Sequence, residues 1–513
     1  MTKGKETRTR RCLLIVLVVL VFGLAGPLRA SLATTNTTIS IWIDETSLLP
    51  TISAESNSTT NEERQMGNVI TDSQSVGTNV TAPITTVAYL VSVTGCTKSF
   101  ATKIYDFGAV LKKSIDLNSF PLHPRSRYGS KTFVLVTPET KTTKCVKHLK
   151  RAGFQPYSVK FPVKFSEIQQ VEGAKIFRKN IRSDGCCGEK ELIKLHAYSM
   201  TDFPVAIHLD LDTLVVNPLD PVIDAMVLPP DNPTGRDARE LLFAPELPES
   251  NTSFRYPRMA TPTYKASVPL DKLDVQAYYT RDYNMLKRGK GLKVGLQGGF
   301  IMVKPNLTTL ETLVNMVRSG KYYNAKGGRQ GGWFRSGYFS HIWGSMTIQG
   351  LLAYYYSDVA HDTSIELNRC RFNQIAENPR RSSFDKRGKY PRGTPISVDA
   401  DYKDMDCRDR PGSDCDDVQC QKWPLEETFI FHFTYCKTPT KCGDISYNET
   451  YKDHQCNLMY RKWFDVRKLV SGDKHDRIAT GTYYPDHYRG YCREKGKYIS
   501  IPSLDKASNG GRQ

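Results

Sequence analysis

The sequence predicts an α/β protein: a mostly parallel sheet flanked by helices, with a ligand site where one strand ends. Three observations lead to that class. From Val87 onward, β-rich runs alternate with helical patterns, the order that gives parallel strands joined by crossover helices. An uncharged strand, Val205-Ala206-Ile207-His208-Leu209, runs straight into Asp210-Leu211-Asp212. The chain has 513 residues, 39% hydrophobic and 24% charged; it can bury a large core, and is too apolar for a disordered chain and too polar for a multi-span membrane protein.

The N-terminal residues lie outside that sheet. Lys3, Lys5, Arg8, Arg10 and Arg11, opposed by Glu6, precede an apolar run from Cys12 to Leu28. This is a targeting segment rather than a fold element: a cytoplasmic tail over 1–11 and a signal-anchor or signal peptide over 12–28. The long basic flank, and Leu28 where a cleavage site wants a small residue, favour a retained anchor with its basic side in the cytoplasm. Residues 31–83 are rich in Thr, Ser and Asn and hold three of the six Asn-x-Ser/Thr sequons, at Asn36, Asn57 and Asn79; the others are Asn251, Asn306 and Asn448. The segment reads as a flexible, glycosylated, low-complexity stem. Of thirteen cysteines, Cys12 lies in the apolar run and twelve remain, an even number that reads as disulfides in an oxidising compartment. Zinc is the rival for the later cysteines, but no Cys-x-x-Cys pair occurs among them, and disulfides are preferred.

The folded part is expected over 84–460, with a C-terminal extension over 461–513. Val87 to Thr94 is a strand ended by Gly95. Thr102 to Ile115 is a helix with Ile104, Phe107, Leu111 and Ile115 on one face. Lys131 to Thr137 is a strand, Cys145 to Ala152 a short basic helix, Tyr157 to Lys160 a strand, and Lys190 to Met200 a helix. Thr308 to Val317 is a helix with Leu310, Leu313, Val314 and Val317 inward, opened by a Thr308/Glu311 capping box. Between Asp212 and Gln297 lie 84 residues, long for a connection. An insertion over about 220–293, containing Thr280-Arg281-Asp282-Tyr283, reads as acceptor-side structure.

In extended backbone, residues i and i+2 face one side, so Asp210 and Asp212 are expected to point together at the carboxyl end of a strand, where open α/β sheets bind ligands. Two adjacent carboxylates call for a cation, and hard oxygen ligands select Mg²⁺ or Mn²⁺, which bridge phosphate oxygens. A surface turn is the plain alternative, disfavoured by the buried strand before it. Aspartyl phosphatases also place an Asp-x-Asp pair after an apolar strand, with Thr two residues after the second Asp; here that position is Leu214.

Five segments, in order, resemble the glycogenin-like glycosyltransferases of family 8, which have the Rossmann-like GT-A fold. These are Glu191-Leu192-Ile193-Lys194-Leu195, Asp210-Leu211-Asp212-Thr213-Leu214, Gln297-Gly298-Gly299-Phe300, Gln349-Gly350-Leu351-Leu352 and His432-Phe433. The resemblance spans about residues 86 to 440. It implies that Asp210, Asp212 and His432 hold Mn²⁺ (or Mg²⁺) on the diphosphate of a UDP-sugar, and that Lys194 adds positive charge nearby. It further implies that Leu211, Gln297, Gly298 and Gly299 contact the donor, and that Gln349 stands close to the reacting carbon. Thr94, after the first strand, is a candidate nucleotide contact. The plain alternatives are a solvated helix face for Lys194, a buried strand histidine for His432 and a strand-entry bend for the glycines.

Two positions depart from the family pattern. Ile348 stands where a carboxylate usually precedes Gln-Gly-Leu-Leu, and Lys437-Thr438-Pro439 replaces Lys-Pro-Trp after His-Phe. Lys437 is therefore a displaced candidate for the phosphates. The expected activity is retaining transfer of a sugar to a glycan or glycoprotein acceptor, by a single-pass type II protein of the Golgi membrane or a secreted one. The alternative is a homologue that binds nucleotide-sugar or glycan without turnover. The net charge of +18 would suit nucleic acid. The targeting segment argues against such a partner; the charge is assigned to topology and to a diphosphate site.

Overall fold

The structure is a computed structural model. It describes the backbone of 30–34, 37–42 and 51–55, and residues 83–176, 188–244, 259–260, 268–269, 272–281, 295–324, 331–338, 347–376, 420, 423–442, 455–471, 491–493 and 497–501. The chain divides into two compact units, Met1–Asn79 and Val80–Gln513. The apolar run from Cys12 to Leu28 lies outside the described residues, among which no helix is long and apolar enough to cross a membrane.

In the first unit, strands β1 (Ala30–Thr34), β2 (Thr37–Trp42) and β3 (Thr51–Glu55) pair antiparallel in that order. The sequence reading has a stem without regular structure here. Thr38-Ile39-Ser40-Ile41 alternates polar with β-branched apolar residues, a local strand pattern that a compositional reading passes over.

The second unit begins with β4 (Thr85–Val93), α1 (Ile104–Leu117), β5 (Tyr128–Val136), α2 (Lys144–Arg151) and β6 (Gln155–Ser158). A 3₁₀ helix over Glu189–Ser199, rather than the α-helix expected there, leads to β7 (Ala206–Leu209), β8 (Thr213–Val215), α3 (Asp220–Val227) and α4 (Pro233–Phe243). Next come β9 (Ala277–Tyr279), β10 (Phe300–Val303), α5 (Leu307–Ser319) and the pair β11 (Tyr322–Tyr323) and β12 (Gly332–Trp333). Then follow α6 (Ile348–Tyr354), β13 (Ser364–Glu366), β14 (Ile430–His432), α7 (Gln455–Ser471), β15 (Cys492–Arg493) and β16 (Lys497–Tyr498).

Seven strands form the central sheet in the order β13-β9-β10-β7-β4-β5-β6. Only β10 runs against its two neighbours; the other pairings are parallel. This is the mostly parallel, helix-flanked, GT-A-like layout expected. Alternate residues of β4 go to opposite faces. Val87, Tyr89 and Val91 join α1, α2 and α3 in one core, and Ala88 and Leu90 join Leu192, Leu195 and Leu351 in the other. Burial on both faces explains why β4, like β7, carries no charge. A third cluster packs Trp463 and Phe464 of α7 against Phe107 of α1, Leu214 of β8 and Phe431 of β14. The boundary read at 460 thus falls inside α7, because this helix caps the β8–β14 ribbon.

One local reading shifts and one holds. α5 is capped by Asn306, whose side chain accepts the Thr309 N–H at 3.0 Å, so the Thr308/Glu311 box falls inside the first turn. Four disulfides, Cys96–Cys145, Cys370–Cys420, Cys436–Cys456 and Cys442–Cys492, account for eight of the twelve cysteines after Cys12; the other four lie outside the described residues.

Asp106 of α1 is buried, accepts hydrogen bonds from Tyr498 and the Ile501 N–H, and is pushed up to about 6 by burial. A carboxyl with a raised folded-state pKa binds its proton before the unfolded chain does. Its contribution to stability therefore increases as pH falls from about 6 toward 4, by up to about 2–3 kcal/mol. Asp106→Asn should remove that component. The difference in unfolding free energy between wild type and variant, measured by denaturant titration at pH 7, 6, 5 and 4, should change in this window; a constant difference would refute it.

Candidate metal centre

Asp210 and Asp212 lie past the end of β7, not within a strand. They occupy the turn from β7 to β8, closed by the N–H and hydroxyl of Thr213, which donate to the Asp210 carbonyl at 3.1 and 2.7 Å. The Asp210 N–H donates to the Gly299 carbonyl at 3.0 Å, continuing the β7–β10 ladder. β8 then pairs antiparallel with β14, setting His432 opposite Thr213. The Phe433 N–H donates to the Asp212 carbonyl at 2.9 Å. The pairing of two short strands thus brings the histidine to the carboxylates.

One ligand atom from each of Asp210, Asp212 and His432 lies within 4.8 Å of the others. His432 Nε2 is 3.5 Å from Asp212 Oδ1 and 4.0 Å from Asp210 Oδ2. Donors about 2.1 Å from a shared cation are about 3–4 Å apart, so the set fits one small divalent ion. Burial opposes ionisation of Asp212, but the adjacent imidazole outweighs it and holds the carboxyl below its usual range.

The histidine is oriented from behind. His432 Nδ1 lies 3.1 Å from Asn373 Oδ1, and the Asn373 amide donates to Thr280 Oγ1 at 3.0 Å. With its amide so engaged, Asn373 presents a carbonyl to Nδ1. Nδ1 keeps its proton on that carbonyl, so Nε2, the nitrogen facing the carboxylates, is the one that would give up its proton to ligate a cation held there. Asn373→Ala is expected to weaken Mn²⁺ binding about 10- to 100-fold, read by titration calorimetry; unchanged affinity would rule out this orienting role.

Lys194 is buried, with its ammonium 2.5 Å from Glu191 Oε2, 2.8 Å from Asp210 Oδ1 and 3.0 Å from the Gly298 carbonyl. Burial disfavours the charge, yet Asp210 and Glu191 outweigh that and hold the ammonium protonated far above its usual range. Lys194 therefore clamps Asp210 to the Gly298 backbone. With Glu191 sharing this ammonium, the Asp210–Asp212 pair is left short of positive charge, which a divalent ion would supply.

Gly298 and Gly299 are required by close approach. A Cβ on Gly299 would collide with the His432 ring, 2.8 Å from Nδ1, and one on Gly298 would stand 3.1 Å from Gln349 Cγ. Gln297 folds back so that its Oε1 accepts the Gly299 N–H. Gln349, the second residue of α6, is buried against Gly298. Gly299→Ala is expected to push His432 aside, weakening Mn²⁺ binding at least about tenfold and costing about 1–3 kcal/mol of stability; calorimetry and denaturant unfolding read the two effects.

Asp210, Asp212, His432, Lys194, Gln297, Gly298, Gly299 and Gln349 thus form one connected set. Leu211, between the two aspartates, is half-buried against the apolar core. Thr94 stands at the end of β4, the strand beside β7. Lys437 lies five residues beyond His432, half-buried, with φ +68°. Ile348 is buried among apolar residues. Two contributors were not assigned from sequence. Glu191 had a signal in its i, i+3 spacing from Lys194; Asn373 had none, since its role depends on a contact with a residue distant in the chain.

No family model matches the chain, and no curated protein matches it. Among solved structures it is similar to an active-site mutant of LgtC, at 9% identity and TM-score 0.34, covering 75% of this chain and 95% of that one. Mouse xyloside xylosyltransferase 1 in its apo form is similar at 9% identity and TM-score 0.30, over 57% of this chain and 87% of that one. The glycosyltransferase GlyE of Streptococcus pneumoniae TIGR4 is similar at 11% identity and TM-score 0.30, over 75% and 64% of the respective chains.

Proposed function

We propose that this chain is a metal-dependent glycosyltransferase of GT-A type, using a UDP-sugar and transferring the sugar, with retention, to a glycan or glycoprotein acceptor in the secretory pathway. The observation that carries this reading is the convergence of Asp210, Asp212 and His432 at the carboxyl end of β7, with His432 oriented by Asn373. Bound there, Mn²⁺ or Mg²⁺ would neutralise charge developing on a leaving diphosphate.

The chain's own residues supply the rest. Lys194 holds the Asp210 carboxylate in place. Gly298 lets Gln349 approach the backbone closely, so that its amide can serve the reacting carbon of the donor. Gly299 leaves room for the His432 ring. Thr94 and Lys437 would engage the nucleotide and the phosphates. The disulfides accord with a Golgi-lumenal domain on a single N-terminal anchor, or with a secreted form.

A second reading, binding without turnover, draws on Ile348, an apolar buried residue where family members carry a carboxylate. A screen of UDP-sugars with Mn²⁺, monitoring UDP release with and without glycan acceptors, separates the two. Release that depends on metal supports transfer. Binding of UDP with no turnover of any donor supports the second reading. Absence of both sinks the donor assignment.

A further inference from the structure

The segment after His432 is fastened along its length. The Phe433 N–H reaches the Asp212 carbonyl at 2.9 Å, and its ring stacks on Tyr460 of α7 at 5.7 Å between centroids. The Tyr460 hydroxyl lies against the carbonyls of Cys436 and Lys437, 3.1 Å from the latter. This meets Lys437 where its backbone takes φ +68°, a left-handed conformation unfavourable for a residue with a Cβ. Cys436 is bonded to Cys456 of α7, and Cys442 to Cys492 of β15.

The residues around Cys492 are held in turn by a buried arginine. Arg467 is 1% exposed; its Nε donates to the Tyr498 hydroxyl at 2.8 Å and a terminal nitrogen to the Ile499 carbonyl at 2.7 Å. Its guanidinium lies 3.6 Å over the Tyr491 ring. The Tyr498 hydroxyl and the Ile501 N–H both donate to Asp106 of α1, at 2.7 and 3.0 Å. Burying a guanidinium is a costly way to close an apolar core. Its planar, directional donors instead select one conformation of what they hold.

We propose that residues 491–493 and 497–501 are a positioning strap for the loop 433–442, and that Arg467 is the positioning residue that seats it. The strap thereby sets how the loop carrying Lys437 meets a nucleotide diphosphate. This rests on the donor reading above for its ligand, and on the bonding pattern alone for its mechanics.

The test uses the full chain in four variants: Arg467→Met, Arg467→Lys, Cys442→Ser/Cys492→Ser, and Arg239→Met as a control that loses a buried arginine in α4, outside the strap and its loop. Calorimetry reads binding of Mn²⁺ alone and of UDP with saturating Mn²⁺, and amide hydrogen exchange reads loop 433–442. The strap variants should bind UDP roughly 10- to 100-fold more weakly, with Mn²⁺ affinity barely changed, because Asp210, Asp212 and His432 are set by β7, β14 and Asn373. Donor KM should rise far more than kcat falls, exchange should accelerate in 433–442 and not in 206–215, and Arg467→Lys should fail to rescue. Wild-type UDP affinity and exchange in the strap variants, or an equal loss in Arg239→Met, overturns the proposal. If wild type does not bind UDP, the donor reading fails; the strap is then decided by exchange, and unchanged rates in 433–442 overturn it.

Discussion

Asp210→Asn/Asp212→Asn protein is expected to lose Mn²⁺ binding and at least about 10³-fold of metal-dependent UDP release, the equivalent of about 4 kcal/mol of transition-state stabilisation. Both side chains supply candidate ligand atoms, and their carboxylates and the His432 imidazole all lie within 4.8 Å. An amide in place of each carboxylate keeps the shape and removes the negative charge that draws in a cation. The turn is made by Thr213 and the Asp210 backbone, so the fold should survive; circular dichroism checks this. Calorimetry with Mn²⁺ and a UDP-release assay read the effect. Wild-type turnover in the double variant would dismiss the metal assignment.

The largest stability effect is expected at Lys194. Its ammonium is 3% exposed and joins Glu191, Asp210 and the Gly298 carbonyl. Lys194→Met leaves Glu191 and Asp210 without their shared cation in a partly buried pocket. Removing one partner of a buried ion pair costs about 3–5 kcal/mol. Burial already pushes the Glu191 carboxyl up, and losing Lys194 should raise it further. Part of the loss should therefore return below neutral pH, as Glu191 takes up a proton more readily in the folded state than in the unfolded one. Denaturant unfolding at pH 7.5 and pH 5.5 measures this; a destabilisation under about 1 kcal/mol at pH 7.5 would contradict the clamp. Mn²⁺ affinity of the variant reads the second consequence, the release of Asp210 from its fixed position.

Most of the fold was legible because its strongest signals are local. An uncharged strand, a helical face such as Ile104-Phe107-Leu111-Ile115, or an apolar run stopped by Gly95 can be read in a window of a dozen residues. Errors arose where two local signals compete or where composition masks a pattern. Thr308/Glu311 resembles a capping box, but Asn306 two residues earlier takes the cap. The polar stretch before residue 83 carries enough alternating Ile to form β2. At position 460 the reason is different: the sequence suggests the start of a C-terminal extension, yet α7 runs through it, with Trp463 and Phe464 buried against residues from α1 and β14.

The candidate site shows the same division. Residue types and spacing were enough to single out Asp210 and Asp212 after an apolar strand, because two hard carboxylates at a strand end have few other uses. Family resemblance added His432, Lys194, Gln297, Gly298, Gly299 and Gln349. The reason the carboxylates converge was not visible: they meet in a turn closed by Thr213 rather than by the two-residue alternation of a strand.

The sequence by itself determined the chemistry available, a carboxylate pair, a distant histidine, a lysine and two adjacent glycines, together with the helix–strand alternation that sets the carboxylates at the carboxyl end of a strand. Tertiary structure alone decided their use. β8 and β14 pair across a long separation and place His432 opposite Thr213. Asn373 selects the imidazole nitrogen that faces the carboxylates, and Lys194 turns inward as a clamp. The physical reason is range: hydrophobic periodicity acts between neighbours in the chain. A ligand's orientation depends on hydrogen bonds and ion pairs between residues that only the completed sheet brings together.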